Sequence, residues 1–333
     1  MNNIRYNYLD IAKGIGIFLV VFGHVTHIIP IREYIWSFHM PLFFFISGLL
    51  YNSNDTFVIH LKKRMKSIII PYILFFIISY MYWIFIERKV RGGEYTLLHQ
   101  LIGLPYGTYQ GGHLNFNGAL WFLPCLFSTD IFFCIIHKYI SRNNLLILLS
   151  CIILCFCLGT FFINNDFIYL PFGINTALFS IVFYAIGYIV NQSKYYSQIT
   201  NQNDKKSLYL IISSLLLVQY LCLRNNNGSI ETADIYYVSM AFIGIALCLF
   251  VSLLISKNKY IEYIGMNSLI IMAFQEQGYR AIIFVASHLC GIPMEEIRTN
   301  FVGALCISII TIICILPIII FWNKLIKPMI NKI

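Results

Sequence analysis

The sequence predicts an all-α, polytopic membrane protein of about ten transmembrane helices with both termini in the cytoplasm. Three observations carry that expectation. Hydrophobic residues make up 59% of the chain and charged residues only 11%, with a mean hydropathy of +0.75, outside the ordinary range for a soluble domain. Apolar segments near the ~20 residues needed to cross a hydrocarbon core recur between short stretches rich in Asn, Lys or Gly. With the amino terminus inside, 16 of the 23 Lys and Arg residues fall on the cytoplasmic side and seven on the other, the bias that orients a membrane protein.

The expected spans are 11–29, 36–52, 67–86, 118–137, 145–163, 170–190, 207–223, 235–255, 265–288 and 302–323. The first follows Asp10, carries Lys13 and has no small-residue cleavage site after it, so it reads as a retained helix rather than a signal peptide. The second is interrupted by Pro41. Ahead of the third, Lys62, Lys63, Arg64 and Lys66 form a basic cytoplasmic loop. From Glu87 to Asn117 runs the longest polar interval, and its glycines at 92, 93, 103, 107, 111 and 112 allow either a re-entrant, lid-like element or a plain exposed loop. The later spans follow closely, with no repeat and no soluble domain, so residues 1–333 are expected to form a single membrane domain. The ten cysteines nearly all fall inside spans, where small apolar packing is their expected role. The net charge of +9 is spread over alternate loops instead of one face, which argues against a nucleic-acid partner.

Ionisable groups inside a membrane helix are costly and point to function. Lys13 and His24 lie eleven residues apart in the first span, close to three turns at ~100° per residue, so they share one face ~16 Å apart along the axis. A neutral imidazole takes a proton from a hydroxyl near neutral pH and returns it to a leaving group. His24 is therefore a candidate general base, beside the alternative of a histidine satisfied by a neighbouring helix. Glu276, Asp130 and Asp10 are candidates to orient it. His24-x-x-His27 has no carboxylate or thiolate close by on its helix, and no metal site is expected. His39 sits near the outer end of the second span, as an acceptor contact or an interfacial residue. Trp121, beside Asn117, suits stacking on a sugar or anchoring at the interface. In the ninth span Gln275, Glu276 and Arg280 interrupt an apolar helix; Glu276 and Arg280, four apart, either serve function or neutralise each other.

The ordered set of a basic residue, ten residues and a histidine in the first helix, then Phe38-His39-Met40-Pro41-Leu42-Phe43-Phe44-Phe45-Ile46-Ser47-Gly48, then Lys62-Lys63-Arg64-Met65-Lys66 leading to Pro71-Tyr72, then Leu120-Trp121-Phe122-Leu123, resembles the acyltransferase 3 family of integral-membrane acyltransferases. Within it the chain most resembles the fucose-4-O-acetylase-like branch, over essentially its whole length. The resemblance implies an O-acetyltransferase of polysaccharide biosynthesis in the bacterial cytoplasmic (inner) membrane. Such an enzyme moves acetyl from cytoplasmic acetyl-CoA to a hydroxyl of a cell-surface polysaccharide or lipid-linked saccharide, with no permanently bound cofactor. His24 matches the family's catalytic histidine, and Lys13 matches its basic partner, more often arginine. Lysine there loses a bidentate guanidinium–phosphate contact but keeps the charge. Lys63, Arg64 and Lys66 match the basic motif in position, implying recognition of CoA phosphates; topology and anionic lipid account for such a cluster equally well. Gln275 stands where related sequences often carry histidine, and with His39, Asn117 and Trp121 it is expected to contact the acceptor. The alternative is a polysaccharide exporter or polymerase without acyl transfer; an exporter needs a continuous polar cavity, whereas the polar residues here gather in the first, second and ninth spans.

Overall fold

The computed structural model describes residues 7–91, 95–142, 144–165, 169–193, 205–225 and 235–332, and among them all regular structure is helical. Helix α1 runs Asn7–Val25 and α2 Ile29–Leu49. The 34-residue α3 (Phe57–Val90) is followed by the short α4 (Leu97–Tyr106), then α5 (Gly118–Ser141), α6 (Leu145–Asn164) and α7 (Pro171–Gln192). The second half of the chain holds α8 (Lys205–Asn225), α9 (Ile235–Ile255), α10 (Lys259–Met266), α11 (Ser268–Cys290), α12 (Met294–Thr299) and α13 (Phe301–Lys332). Eight of these, α1, α3, α5, α6, α7, α9, α11 and α13, are long and apolar enough to cross a membrane. Helices α2 and α8, of 21 residues each, stand where the other two spans were expected but are not among those eight.

Two local expectations are corrected. Pro41 does not interrupt α2, which is helical on both sides of it; a proline in a membrane helix is tolerated when neighbouring groups satisfy the freed carbonyl. The basic cluster is not a loop but the opening turns of α3. Thr56 caps that helix by accepting from the Ile59 N–H at 3.4 Å. The N–H missing at Pro71 is accommodated by a wide turn over Met65–Ile69, where the Ile70 N–H reaches back to the Met65 carbonyl.

The chain divides into two compact units, Met1–Ile46 with Ile189–Ile319 and Ser47–Tyr188 with Ile320–Ile333. In the first, α1 packs against α9, α10 and α11. Glycine sets how closely. Gly265 backs onto the Asp10 carbonyl and Gly14 onto the Ile261 carbonyl, so a Cβ at either would collide with backbone. Close approach of this kind substitutes for the hydrophobic drive that lipid does not supply. Tyr34 on α2 donates to Gln219 Oε1 on α8 at 2.9 Å.

The second unit is centred on buried Tyr51, Phe133, Leu148, Ile152, Ile181 and Tyr184. Its polar interval is built rather than loose. The hydroxyls of Tyr72 and Tyr80 donate to the carbonyls of Leu104 (2.8 Å) and Leu97 (2.9 Å), tying α4 to α3. Gln100 donates to the Gly112 carbonyl at 2.6 Å and accepts from the Asn115 N–H at 3.0 Å. Rings of Tyr95, His99, His113 and Tyr106 stack in sequence at 5.3, 4.7 and 4.9 Å between centroids. From residue 95 onward the interval is held against α3, and Gly92 and Gly93 lie outside the described residues.

Gly265→Val is expected to destabilise the protein by about 1–3 kcal/mol or more through overpacking of α1 on α10. Gly278→Ala, whose Cβ would meet only side chains of Thr311 and Ile315, should melt close to the parent. Thermal denaturation of detergent-solubilised variants followed by size exclusion checks both, and equal melting of the two would refute the glycine argument.

Candidate active site

The last carbonyls of a helix lack intrahelical donors. At the end of α1 they are supplied by Arg298 on α12, whose Nη2–H donates to the His24 carbonyl at 2.8 Å and Nε–H to the Val25 carbonyl at 2.9 Å. The contact is reciprocal, since the His27 N–H donates to the Arg298 carbonyl at 2.9 Å. The Arg298 guanidinium also lies over the Tyr279 ring of α11, 5.8 Å from its centroid. His27 Nδ1 approaches both oxygens of Glu295, at 2.7 and 2.9 Å. That hydrogen bond holds the Glu295 carboxyl below the usual carboxylate range.

The backbone at His24 is therefore fixed by α12, while its side chain stays available. The ring is partly buried and touches Trp36 (6.0 Å between centroids) and, edge-on, His39 (6.4 Å). Neither ring nitrogen makes a hydrogen bond among the described residues. His39 is buried, and its Nδ1 lies 2.8 Å from the Ile35 carbonyl. A carbonyl only accepts, so Nδ1 carries the proton and Nε2 of the neutral ring is left as the acceptor. The charged groups that act on His24 are Glu276 and Arg280 of α11 and Arg298. Glu276 and Arg280 form an ion pair one turn apart.

The three carboxylates considered as orienters do not hydrogen-bond His24 among the described residues. Asp10 accepts from Lys13 Nζ at 3.1 Å, Glu276 pairs with Arg280, and Asp130 belongs to the second unit. Gln275 of α11 is fully buried, and among the described residues neither its Oε1 nor its Nε2 has a hydrogen-bond partner; buried Gln277 is in the same condition. Thus Lys13, His24, His39, Gln275 and Glu276 lie in one unit, with His24 and His39 in ring contact. Lys63, Arg64, Lys66, Asn117 and Trp121 lie in the other. There Asn117 is buried and donates to Ser79 Oγ at 3.0 Å, and Trp121 meets the Phe122 ring at 6.2 Å.

Arg64 and Asp130 meet in a network that spacing along the chain did not foretell. Arg64 Nη2 donates to Asp130 Oδ1 at 2.8 Å, the Tyr184 hydroxyl donates to the same oxygen, and His60 Nε2 pairs with Oδ2. Asp130 is 1% exposed. A buried carboxylate is tolerated only when its charge is paired and its lone pairs are filled, and here both conditions hold. His60 and Arg64, one turn apart on α3, were a legible pair; Tyr184 and Arg298 gave no local signal.

The apolar helices and the histidine presented at a helix end define an integral membrane protein with a candidate base set in its helical bundle. The profile of the acyltransferase 3 family, described as an acyltransferase domain, matches residues 6–320. The chain belongs to that family and is a membrane acyltransferase. No curated protein sequence and no solved structure matches it significantly.

Arg298→Ala should free the end of α1. A misplacement of about 1 Å costs on the order of a hundredfold in rate, so kcat is expected to fall by about that much with the donor KM unchanged. Steady-state kinetics in membranes at matched expression tests it, and an unaltered kcat would remove Arg298 from the site. Asp130→Ala takes the shared acceptor from buried His60 and Tyr184 and from the partly buried Arg64 guanidinium and should cost about 3–5 kcal/mol, read as a loss of folded protein in a melting scan, with Asp130→Asn milder.

Proposed function

We propose that this chain is an O-acetyltransferase of the fucose-4-O-acetylase-like branch, working in a bacterial cytoplasmic (inner) membrane. It moves acetyl from cytoplasmic acetyl-CoA to a hydroxyl of a cell-surface polysaccharide or lipid-linked saccharide. The observation that carries the reading is His24, an imidazole whose backbone is clamped by Arg298 and whose ring nitrogens carry no hydrogen bond among the described residues. A base so held meets a substrate hydroxyl without first breaking a contact.

In this reading α2 and α8 complete ten spans, and an even number leaves both termini in the cytoplasm, in keeping with the bias of 16 Lys and Arg of 23 to that side. The acceptor oxygen attacks the thioester carbonyl as His24 takes its proton. Collapse of the tetrahedral intermediate expels the CoA thiolate, which recovers that proton from the imidazolium. Glu276 supplies negative charge to offset the imidazolium. Gln275 offers an amide that lacks partners in the protein, and a sugar hydroxyl, donor and acceptor at once, satisfies such a group. His39, Asn117 and Trp121 are the further acceptor contacts. Lys13, Lys63, Arg64 and Lys66 serve the donor phosphates.

Labelled acetyl-CoA incubated with membranes and native glycan should transfer label into glycan as an alkali-labile ester. His24→Ala is expected to reduce transfer by about 10²–10⁴-fold at matched expression, the range of a general base. Equal labelling by both proteins would end the role of His24, and label in no glycan would end the O-acetyl reading.

A further inference from the structure

In the second unit an open surface pocket of about 440 Å3 lies where the start of α3 and the end of α5 share a lining. The wall is cationic. Lys138 and Arg142 line it and no carboxylate does. The acid nearest in sequence to this lining, Asp55, is held by Lys63 at 2.7 and 2.9 Å. Lys138 Nζ donates to the Ser53 carbonyl at 2.9 Å, which fixes the ammonium at the rim and leaves two of its three donors. Arg142 is exposed and closes α5 with φ of 45°, a left-handed conformation that ordinarily selects glycine at a helix end. The chain keeps a cation there in spite of that cost.

Three other features of the lining fit the same ligand chemistry. Thr56 caps α3 and occupies one first-turn donor, that of Ile59, so the N–H groups of Phe57 and Val58 remain at the positive end of a long helix. His137, 5% exposed, bonds the Tyr188 hydroxyl through Nε2 at 2.8 Å, and its buried Nδ1 has no partner among the described residues. The rings of Phe57 and Tyr139 meet at 6.0 Å and give the pocket one apolar wall. Two cations and helix-end amides, with no carboxylate lining the pocket among the described residues, suit compact, multiply charged oxyanions.

We propose that this pocket binds a phosphomonoester or pyrophosphate group. Two sources carry that chemistry, the nucleotide end of the acyl donor and the headgroup of an anionic phospholipid. Assignment to the donor rests on the function proposed above; the phosphate site itself does not. The test uses full-length protein in phosphatidylcholine nanodiscs, titrated with adenosine 3′,5′-bisphosphate and with inorganic pyrophosphate by calorimetry. In parallel, native mass spectrometry reads retention of phosphatidic acid from mixed nanodiscs. Saturable binding of a soluble probe, weakened about tenfold or more in Lys138→Gln/Arg142→Gln, supports the site and the donor source. Retention of phosphatidic acid by the parent and not by the variant, with no soluble binding, supports the site and the lipid source. Binding of no probe, or binding unchanged in the variant, overturns the proposal. Should the double variant fail to fold, Arg142→Gln alone carries the comparison, since that side chain is exposed. None of these readouts requires acetyl transfer, so failure of the site and failure of the enzymatic reading are told apart.

Discussion

The carbonyls at the end of α1 need donors, and Arg298 supplies them. Much about the candidate site follows from that pair of hydrogen bonds. The last carbonyls of a helix have no intrahelical donors, and a flexible end would carry His24 with it. Arg298 satisfies two carbonyls with one planar fork, a geometry that lysine cannot reproduce, and is itself held over Tyr279. The imidazole is thereby positioned through its backbone and not through its ring. This differs from the triad arrangement, in which a carboxylate fixes the base by hydrogen-bonding its second nitrogen.

The same economy of buried charge organises the second unit in another way. Asp130 collects Arg64, His60 and Tyr184 around one carboxylate, joining α3, α5 and α7 by charge and hydrogen bonding where lipid offers no hydrophobic drive. Replacing such a cluster by apolar residues is often harmless, whereas removing one member leaves an uncompensated charge. The network is thus conditional, each member requiring the others. Close helix contact through Gly14 and Gly265 achieves a comparable result in the first unit without any charge.

The helical membrane class and eight of the spans were legible because apolar runs of membrane length have few other uses. The ion pairs Lys13–Asp10 and Arg280–Glu276 are spacings of three and four, which any helix makes visible. What the sequence hid was of two kinds. Charge density made Lys62–Lys66 look like a loop, although Thr56 and the wide turn before Pro71 make it helical. Contacts distant along the chain were beyond reach: Arg298 and His24 lie 274 residues apart and Asp130 and Tyr184 54 apart. Arg298 entered the sequence reading only as one of seven basic residues on the outer side. The order of the interval 95–117 depends on Gln100 meeting Gly112 and Asn115, which no periodicity encodes.

The cations assigned to the acyl donor differ in how they are already engaged, and this ranks them within the proposed reading. Arg64 is committed to an aspartate that is 1% exposed, and releasing it would strand a buried carboxylate. Lys13 is paired with Asp10 in a partly buried setting. Lys63 is 59% exposed in its pair with the less exposed Asp55, so its ammonium is the more open of the two partners to a phosphate from solvent. Lys66 forms no ion pair among the described residues. Of the cations assigned to the donor, Arg64 is therefore the costliest to release from its present partner. The exchangeable charge is left to Lys63 and Lys66 on the opening turns of α3, the helix whose N-terminus helps line the pocket that holds Lys138 and Arg142.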